Sequence, residues 1–382
     1  MEKGKLIDKE WNDNNLNSLI NDCIDIENNI KKIKEINKIN ENINKLKSNY
    51  NNIEIEYILE EDKINNLLEE IKNLGKIFSR YSYNKFNINL KIPIHILDNH
   101  TNEVVSLIVM KDGRLVSCSW DYSIIIYNKI TYKPDLTIKE HKNYVLSIIE
   151  LSSGFLASCS SDKTIIIYKI KGNGYEIIQT LNYHSRGILK IIEIKNKTLV
   201  SCSHDKTIIF YIQDNMEYKK DYQISTDGRC YSIIQTKDNE ICYSEENNSK
   251  ICFYDLLERK NKSSISNISK YNEYRECFIM ITKDLLAIPG QNKISIINVN
   301  EYQIIRIIDV PNSGWICGIC KLNNNMLLTG DSSDIRQWKI EKDNLILLSK
   351  KENAHDGCIL SLLKLENGNI VSSSGDHKIK IW

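Results

Sequence analysis

The sequence predicts a mainly β protein, seven small antiparallel sheets arranged radially, preceded by an α-helical segment. Three observations carry that expectation. Apolar periodicity switches from helical spacing to strict alternation near residue 86. A pattern then recurs as "LVSCSWDYSIIIY" ending at Tyr127, "LASCSSDKTIIIY" at Tyr168, "LVSCSHDKTIIFY" at Tyr211 and "IVSSSGDHKIKIW" at Trp382. Weaker copies end at Tyr254, Ile297 and Trp338, so successive ends lie 41, 43, 43, 43, 41 and 44 residues apart. Copies of that length each build one small sheet, and neighbouring sheets bury one another's faces.

The helical segment spans residues 1–85. Its apolar residues fall at Leu16, Leu19, Cys23, Ile26, Ile30, Ile33, Ile36, Ile39, Ile43, Leu46, Tyr50 and Ile53, a heptad seam with one three-residue stammer near Ile33–Ile39. No Pro or Gly interrupts Leu6 to Leu74, and Gly75 closes the patch "INNLLEEIKNLGKI" as a C-cap. One narrow stripe on a long helix buries best against another helix, either a second copy or the rest of the chain. Self-association is preferred, as a homodimer through residues 15–53. From residue 86 to 382, β-branched runs alternate with turn signals such as "KDGR" (111–114), "SSGF" (152–155) and "ENGN" (366–369).

Composition narrows the function classes. A formal net charge of +1 gives no global recruitment of nucleic acid or an anionic membrane. The opening "MEKGKLIDKEWNDNN" is too polar for a signal peptide, and no apolar run approaches the ~18 residues of a membrane span. The expectation is a cytoplasmic protein whose eleven cysteines are reduced. "CGIC" at Cys317–Cys320 is the only CxxC and has no second pair at zinc spacing, so no metal or cofactor is expected. Alternation sends its two thiols to opposite faces. Cys118, Cys159 and Cys202 recur at one repeat position as small strand residues.

Each strong repeat carries a His, a Ser and an Asp at fixed offsets, closed by an aromatic residue. The sets are His100, Ser117, Asp121 and Tyr127; His141, Ser158, Asp162 and Tyr168; His184, Ser201, Asp205 and Tyr211; and His355, Ser372, Asp376 and Trp382. A hydrolytic triad uses the same residue types. Repetition argues against it, because catalysis needs one activated nucleophile whereas a structural device is wanted once per sheet. The sets read as buried hydrogen-bond chains, and no enzyme is expected.

At this point residues 87–382 resemble the WD-repeat β-propellers, in spacing, repeat number and three of the four chain members. Departures exist. The Gly usually found before the His is Asn99, Glu140, Tyr183 and Ala354 here, and three closing residues are Tyr instead of Trp. In repeats four to six the His positions hold Thr226, Glu273 and Asn312, and the Asp positions hold Asn248, Gln291 and Ser332 or Asp331. The resemblance implies a binding rim built from the residues three and five after each His and one before each Asp. Transferred to this chain, it nominates Glu103, Trp120, Tyr144, Leu146, His204, Arg229, Tyr231, Glu276, Phe278, Trp315 and Leu360 for contact with a peptide or protein partner. The alternative reading is that some of these line the central channel or pack between blades.

Residues 15–77 resemble, less specifically, the coiled coil after a B-box in tripartite-motif-like proteins, without the zinc modules that would precede it. The functional expectation is a non-enzymatic scaffold. The alternatives are a substrate receptor for a ubiquitin ligase recruited in trans, and an enzyme using the propeller's central mouth. One strand is left over: "FNINLKIPIHIL" (86–97) precedes the first His, while the last copy ends at Trp382 with no outer strand after it. The expectation is that 86–97 pairs beside Ile379–Trp382 and closes the ring. Pro93 is tolerable on such an outermost strand.

Overall fold

A computed structural model describes residues 92–214, 217–246, 249–266, 268 and 278–382. The expected helical segment 1–85 and its seam lie outside the described residues, as does Glu276.

Seven four-stranded antiparallel sheets make up the described chain. Blades 1 to 6 are each consecutive in sequence, over residues 104–138, 145–181, 188–225, 233–265, 279–309 and 318–351. Blade 7 combines Ile359–Lys364, Ile370–Ser374 and Ile379–Ile381, the last three strands, with His95–Leu97, the first strand among the described residues. The pairs are His95 with Ile381, Ile96 with Lys380 and Leu97 with Ile379, and the Ile94 amide adds a 2.6 Å bond to the Ile381 carbonyl. The strand expected over 86–97 is therefore His95–Leu97 among the described residues, and residues 86–91 fall outside them.

The core lies between blades. Among the described residues, seven apolar clusters form, one at each junction of neighbouring blades. This follows from the second strands, such as Leu115–Ser119 and Ile370–Ser374, which are buried on both faces. An interior strand with a blade on either side needs small residues, and Cys118, Cys159 and Cys202 supply them at 0% exposure. Four blades share a β-bulge near the start of the first strand, between Val104 and Ser106, Val145 and Ser147, Ile188 and Lys190, and Ile359 and Ser361. The bulge re-aims the extra residue as the chain enters the blade.

On one edge of the ring, neighbouring blades are latched by a repeated device. Amides of Lys111, Ser152 and Lys195 donate to Glu150 (2.7 Å), Glu193 (2.6 Å) and Gln235 (3.0 Å) of the following blade. Each acceptor ends a first strand or lies within it, so the turn of one blade registers the next.

Candidate functional site: the rim of the His loops and Asp turns

The rim is held by the four hydrogen-bond chains. His100, His141, His184 and His355 place Nδ1 2.7–2.8 Å from Asp121, Asp162, Asp205 and Asp376, and Nε2 2.7 Å from Ser117, Ser158, Ser201 and Ser372. In blade 7 Trp382 Nε1 donates to Ser372 at 2.9 Å. The tautomer that satisfies every link there puts the histidine proton on Nδ1, donated to Asp376, while Ser372 donates to Nε2. The tyrosine hydroxyls lie farther from their serines, at 3.4 Å for Tyr127 and Tyr168 and 3.1 Å for Tyr211. All four serines are fully buried, where no substrate reaches them.

Burial alone would raise the aspartate pKa values. Donation from the histidines, from nearby hydroxyls and from the amide after each His outweighs it. Asp121, Asp162 and Asp205 are held far below the ordinary carboxylate range, and Asp376 is lowered to about 2. The difference has a visible cause: Ser123, Thr164 and Thr207 each bond the carboxylate at 2.6 Å, whereas blade 7 has Lys378 at that position, which offers its backbone amide. Sequence reasoning missed this hydroxyl, although Ser or Thr two residues after three of the four aspartates was the available signal.

With loop and turn fixed, backbone bonds set the rim positions. The residue before each Asp donates its amide to the carbonyl three after the His: Trp120 to Glu103 (3.0 Å), Ser161 to Tyr144 (2.9 Å), His204 to Gly187 (3.0 Å) and Gly375 to Cys358 (2.9 Å). Each turn residue also meets the loop of the next blade, and the residues match in size. Trp120 stacks on Tyr144 with centroids 4.7 Å apart and planes at 18°. A β-carbon on Gly187 would come 3.1 Å from Ser161 Cα, and one on Gly375 3.6 Å from the Glu103 carboxyl. His204 meets the edge of Tyr231 at 5.9 Å and 85°. Burial, then Arg229 and Arg186, lowers the His204 pKa and leaves the ring neutral near pH 7.

Several nominated positions need correction. Tyr231 and Leu360 are buried, at 4% and 2% exposure, and present no side chain to a partner. Leu360 is the extra residue of the blade 7 bulge, turned inward as that strand begins. Leu146, the corresponding bulge residue of blade 2, and Phe278 are half-buried. In blade 4 the Arg229 carbonyl pairs with the Glu246 amide at 3.0 Å, so Glu246 fills the turn position of that blade; the Arg229 and Glu246 side chains are 3.5 Å apart. In blade 6 the Ser332 amide bonds the Ser313 carbonyl, so Ser313 fills the loop position assigned to Trp315. Trp315 lies beyond it, past Gly314 at φ +62°, and bridges Gln291 of blade 5. Asp331 is buried and paired with Arg336. Alternation also fails for "CGIC". It begins only at Gly318, and Cys317 and Cys320 both face blade 7.

One rim residue was not anticipated. Tyr122, directly after Asp121, is 43% exposed and 5.8 Å from Tyr144. It sits at φ +72°, like Lys163, Lys206 and His377 at the same turn position. A bulky residue held there is strained. Trp120, Tyr122 and Tyr144 thus form an aromatic cluster across blades 1 and 2, its components half-buried or exposed.

Residues 91–128, 132–169 and 348–382 match the family model described as WD domain, G-beta repeat. These matches carry three of the four complete His–Ser–Asp chains. A search of curated proteins finds no match. Among the described residues, no helix is long and apolar enough to cross a membrane.

Proposed function

The chain is a WD-repeat β-propeller protein, and from that premise we propose that it is a scaffold binding a protein or peptide on the rim of blades 1 and 2. Propellers of this kind are typical protein-interaction scaffolds. The observation that supports the placement is the Trp120–Tyr144 stack with Tyr122 beside it. Aromatic residues already ordered by packing offer large contact area at little further entropic cost, and Trp and Tyr lead among interface anchors. The stacking immobilises two rings before any partner arrives. Tyr122 remains exposed to receive it.

Self-association through the seam at 15–53 belongs to the same proposal. Pairing two propellers raises avidity for a bivalent target without a new contact. Light scattering on the full chain tests it, and a monomer at high micromolar concentration ends the dimer claim.

The rim proposal is tested by quantitative affinity purification with wild type, Trp120→Ala and Tyr122→Ala side by side. Direct partners should fall at least tenfold in recovery with either variant, while circular dichroism and thermal melting remain those of a folded propeller. Equal recovery of every protein with all three baits would overturn the placement. A ligase subunit among the lost partners would favour the substrate-receptor role.

A further inference from the structure

Cys317 and Cys358 belong to different sheets, yet their sulfurs lie 3.6 Å apart. Each directly precedes the first strand of its blade, Gly318–Asn323 in blade 6 and Ile359–Lys364 in blade 7. The approach is built into the backbone. The Ile359 amide crosses blades to the Asp331 carbonyl at 2.7 Å, and the Cys317 amide bonds the Gly330 carbonyl at 3.0 Å. Both cysteines are thereby tied to neighbouring carbonyls at the end of one strand. Gly330 permits this closeness, since a β-carbon there would lie 2.8 Å from Ile359 Cβ and closer still to its Cγ2. A side chain at Gly318 would likewise come 3.2 Å from Leu362 Cγ.

The two thiols differ in access. Cys317 is fully buried, and Cys358 is partly exposed. That is the arrangement of a reporting thiol with a resolving thiol behind it. Cys118, Cys159 and Cys202 provide the contrast: each is fully buried and burial raises the pKa values of Cys118 and Cys159 far above the ordinary thiol range.

We propose that Cys317 and Cys358 are an oxidisable dithiol that a hydroperoxide converts into a disulfide between blades 6 and 7. The Cys358 thiolate attacks the terminal peroxide oxygen. A sulfur–oxygen bond forms, the oxygen–oxygen bond breaks, and the leaving oxygen departs once protonated, as water from hydrogen peroxide or as an alcohol from an organic hydroperoxide. Cys317 then attacks the sulfenic sulfur of Cys358. The sulfur–sulfur bond forms as the sulfur–oxygen bond breaks, and the Cys317 proton leaves with that oxygen as a second water. With hydrogen peroxide, two thiols and one peroxide give one disulfide and two waters. A disulfide is about 2.05 Å long, so the sulfurs close by roughly 1.5 Å, on the scale of side-chain torsion rather than blade movement. The bond would tie positions 41 residues apart, linking blade 6 to blade 7, the blade in which the propeller's first and last strands meet. It would also remove the Cys317 proton now directed to the Trp315 carbonyl at 3.8 Å, next to the rim.

The test uses the reduced full chain, titrated with hydrogen peroxide, quenched with N-ethylmaleimide and mapped as peptides without reductant. A cross-linked peptide pair containing Cys317 and Cys358 should appear at doses that leave Cys118, Cys159 and Cys202 alkylatable after unfolding, and dithiothreitol should remove it. Cys317→Ser should abolish the cross-link and leave a sulfenic acid on Cys358 that dimedone traps. Cys358→Ser should reduce oxidation at position 317 at least tenfold. Sulfinic acid on Cys358 beside a still reduced Cys317 overturns the proposal. So does survival of both thiols in reduced form at doses that oxidise Cys118, Cys159 and Cys202.

Discussion

Trp382 Nε1 donates to Ser372 Oγ across 2.9 Å, whereas the Tyr127 hydroxyl stands 3.4 Å from Ser117 at the equivalent place. A fused indole reaches a serine that a phenol only approaches. Removing the donor therefore costs differently in the two blades. Trp382→Phe leaves a buried serine short of a partner and should cost about 1–3 kcal/mol beyond the lost area. Tyr127→Phe should cost less than ~1 kcal/mol. Urea unfolding of both variants checks the order, and equal losses would contradict it.

Acid stability follows from the same chains. Asp376 has a folded pKa of about 2, below its unfolded value of about 3.9. Its stabilisation is complete above the unfolded value and is lost as pH falls through the folded one. Asp121, Asp162 and Asp205 are lowered further and act in the same direction. Burial also holds His355 below its ordinary value, so the unfolded chain binds that proton first and stability starts to fall below about pH 6.5. The melting temperature should decline gently from pH 6.5 to 4 and steeply below pH 4. Lys378→Thr, which supplies the hydroxyl blade 7 lacks, should move the acid transition to lower pH. A melting temperature flat from pH 6.5 to 3 would refute this account.

Blade 6 replaces its chain with a buried ion pair, Arg336 with Asp331, beside Asp334. Arg336 and Asp331 are 4% and 1% exposed. Breaking such a pair from one side strands a charge in the interior. Arg336→Met alone should cost about 3–5 kcal/mol. Adding Asp331→Asn, which keeps a turn acceptor while removing the charge, should recover at least ~1 kcal/mol. A double mutant no more stable than the single one would show that the pair is not the source of the loss.

The seven-sheet ring and its four hydrogen-bond chains were legible because they recur: spacing alone aligns His, Ser, Asp and the closing aromatic. The rim was legible only where that alignment survived. Trp120 and Tyr144 lie where the repeat spacing puts them, because the loops of blades 1 and 2 are intact. Trp315 was misplaced by residues inserted after Ser313, which no fixed offset reveals. Tyr231 and Leu360 were named from a fixed offset of five residues after the His position, which a β-bulge or an irregular strand entry does not obey. Tyr122 was missed because its importance comes from backbone conformation, and the substituted turn shows no glycine to announce a positive φ.

Repeats four to six lack the complete chain, and from sequence all three rank as the least protected blades. The structure separates them. Blade 6 keeps a bond from Trp338 Nε1 to Thr329 at 2.8 Å alongside its ion pair. In blade 5 the first strand is only Ile279–Met280. Hydrogen exchange should therefore be fastest in blades 4 and 5, with the second and third strands of blade 6 slower, as in the intact blades. Uniform protection across the seven blades would count against a stabilising role for the chains.

Closure rests on three residue pairs that join His95–Leu97 to Ile379–Ile381. Leu97, 7% exposed, packs in the cluster shared by blades 7 and 1 with Val371, Ile379 and Ile381. Without that strand, Ile379–Ile381 becomes an open edge and the ring loses a cooperative link, since each blade is stabilised mainly by its neighbours. Leu97→Ala should cost about 2–4 kcal/mol. Beginning the chain at Asp98 should do more, broadening the denaturant transition and lowering its m-value as the seam frays before the rest. The point variant tests packing and the truncation tests closure. If the truncated chain unfolds in one sharp transition with an unchanged midpoint, the first strand is an accessory to the ring and the seven blades hold each other without it.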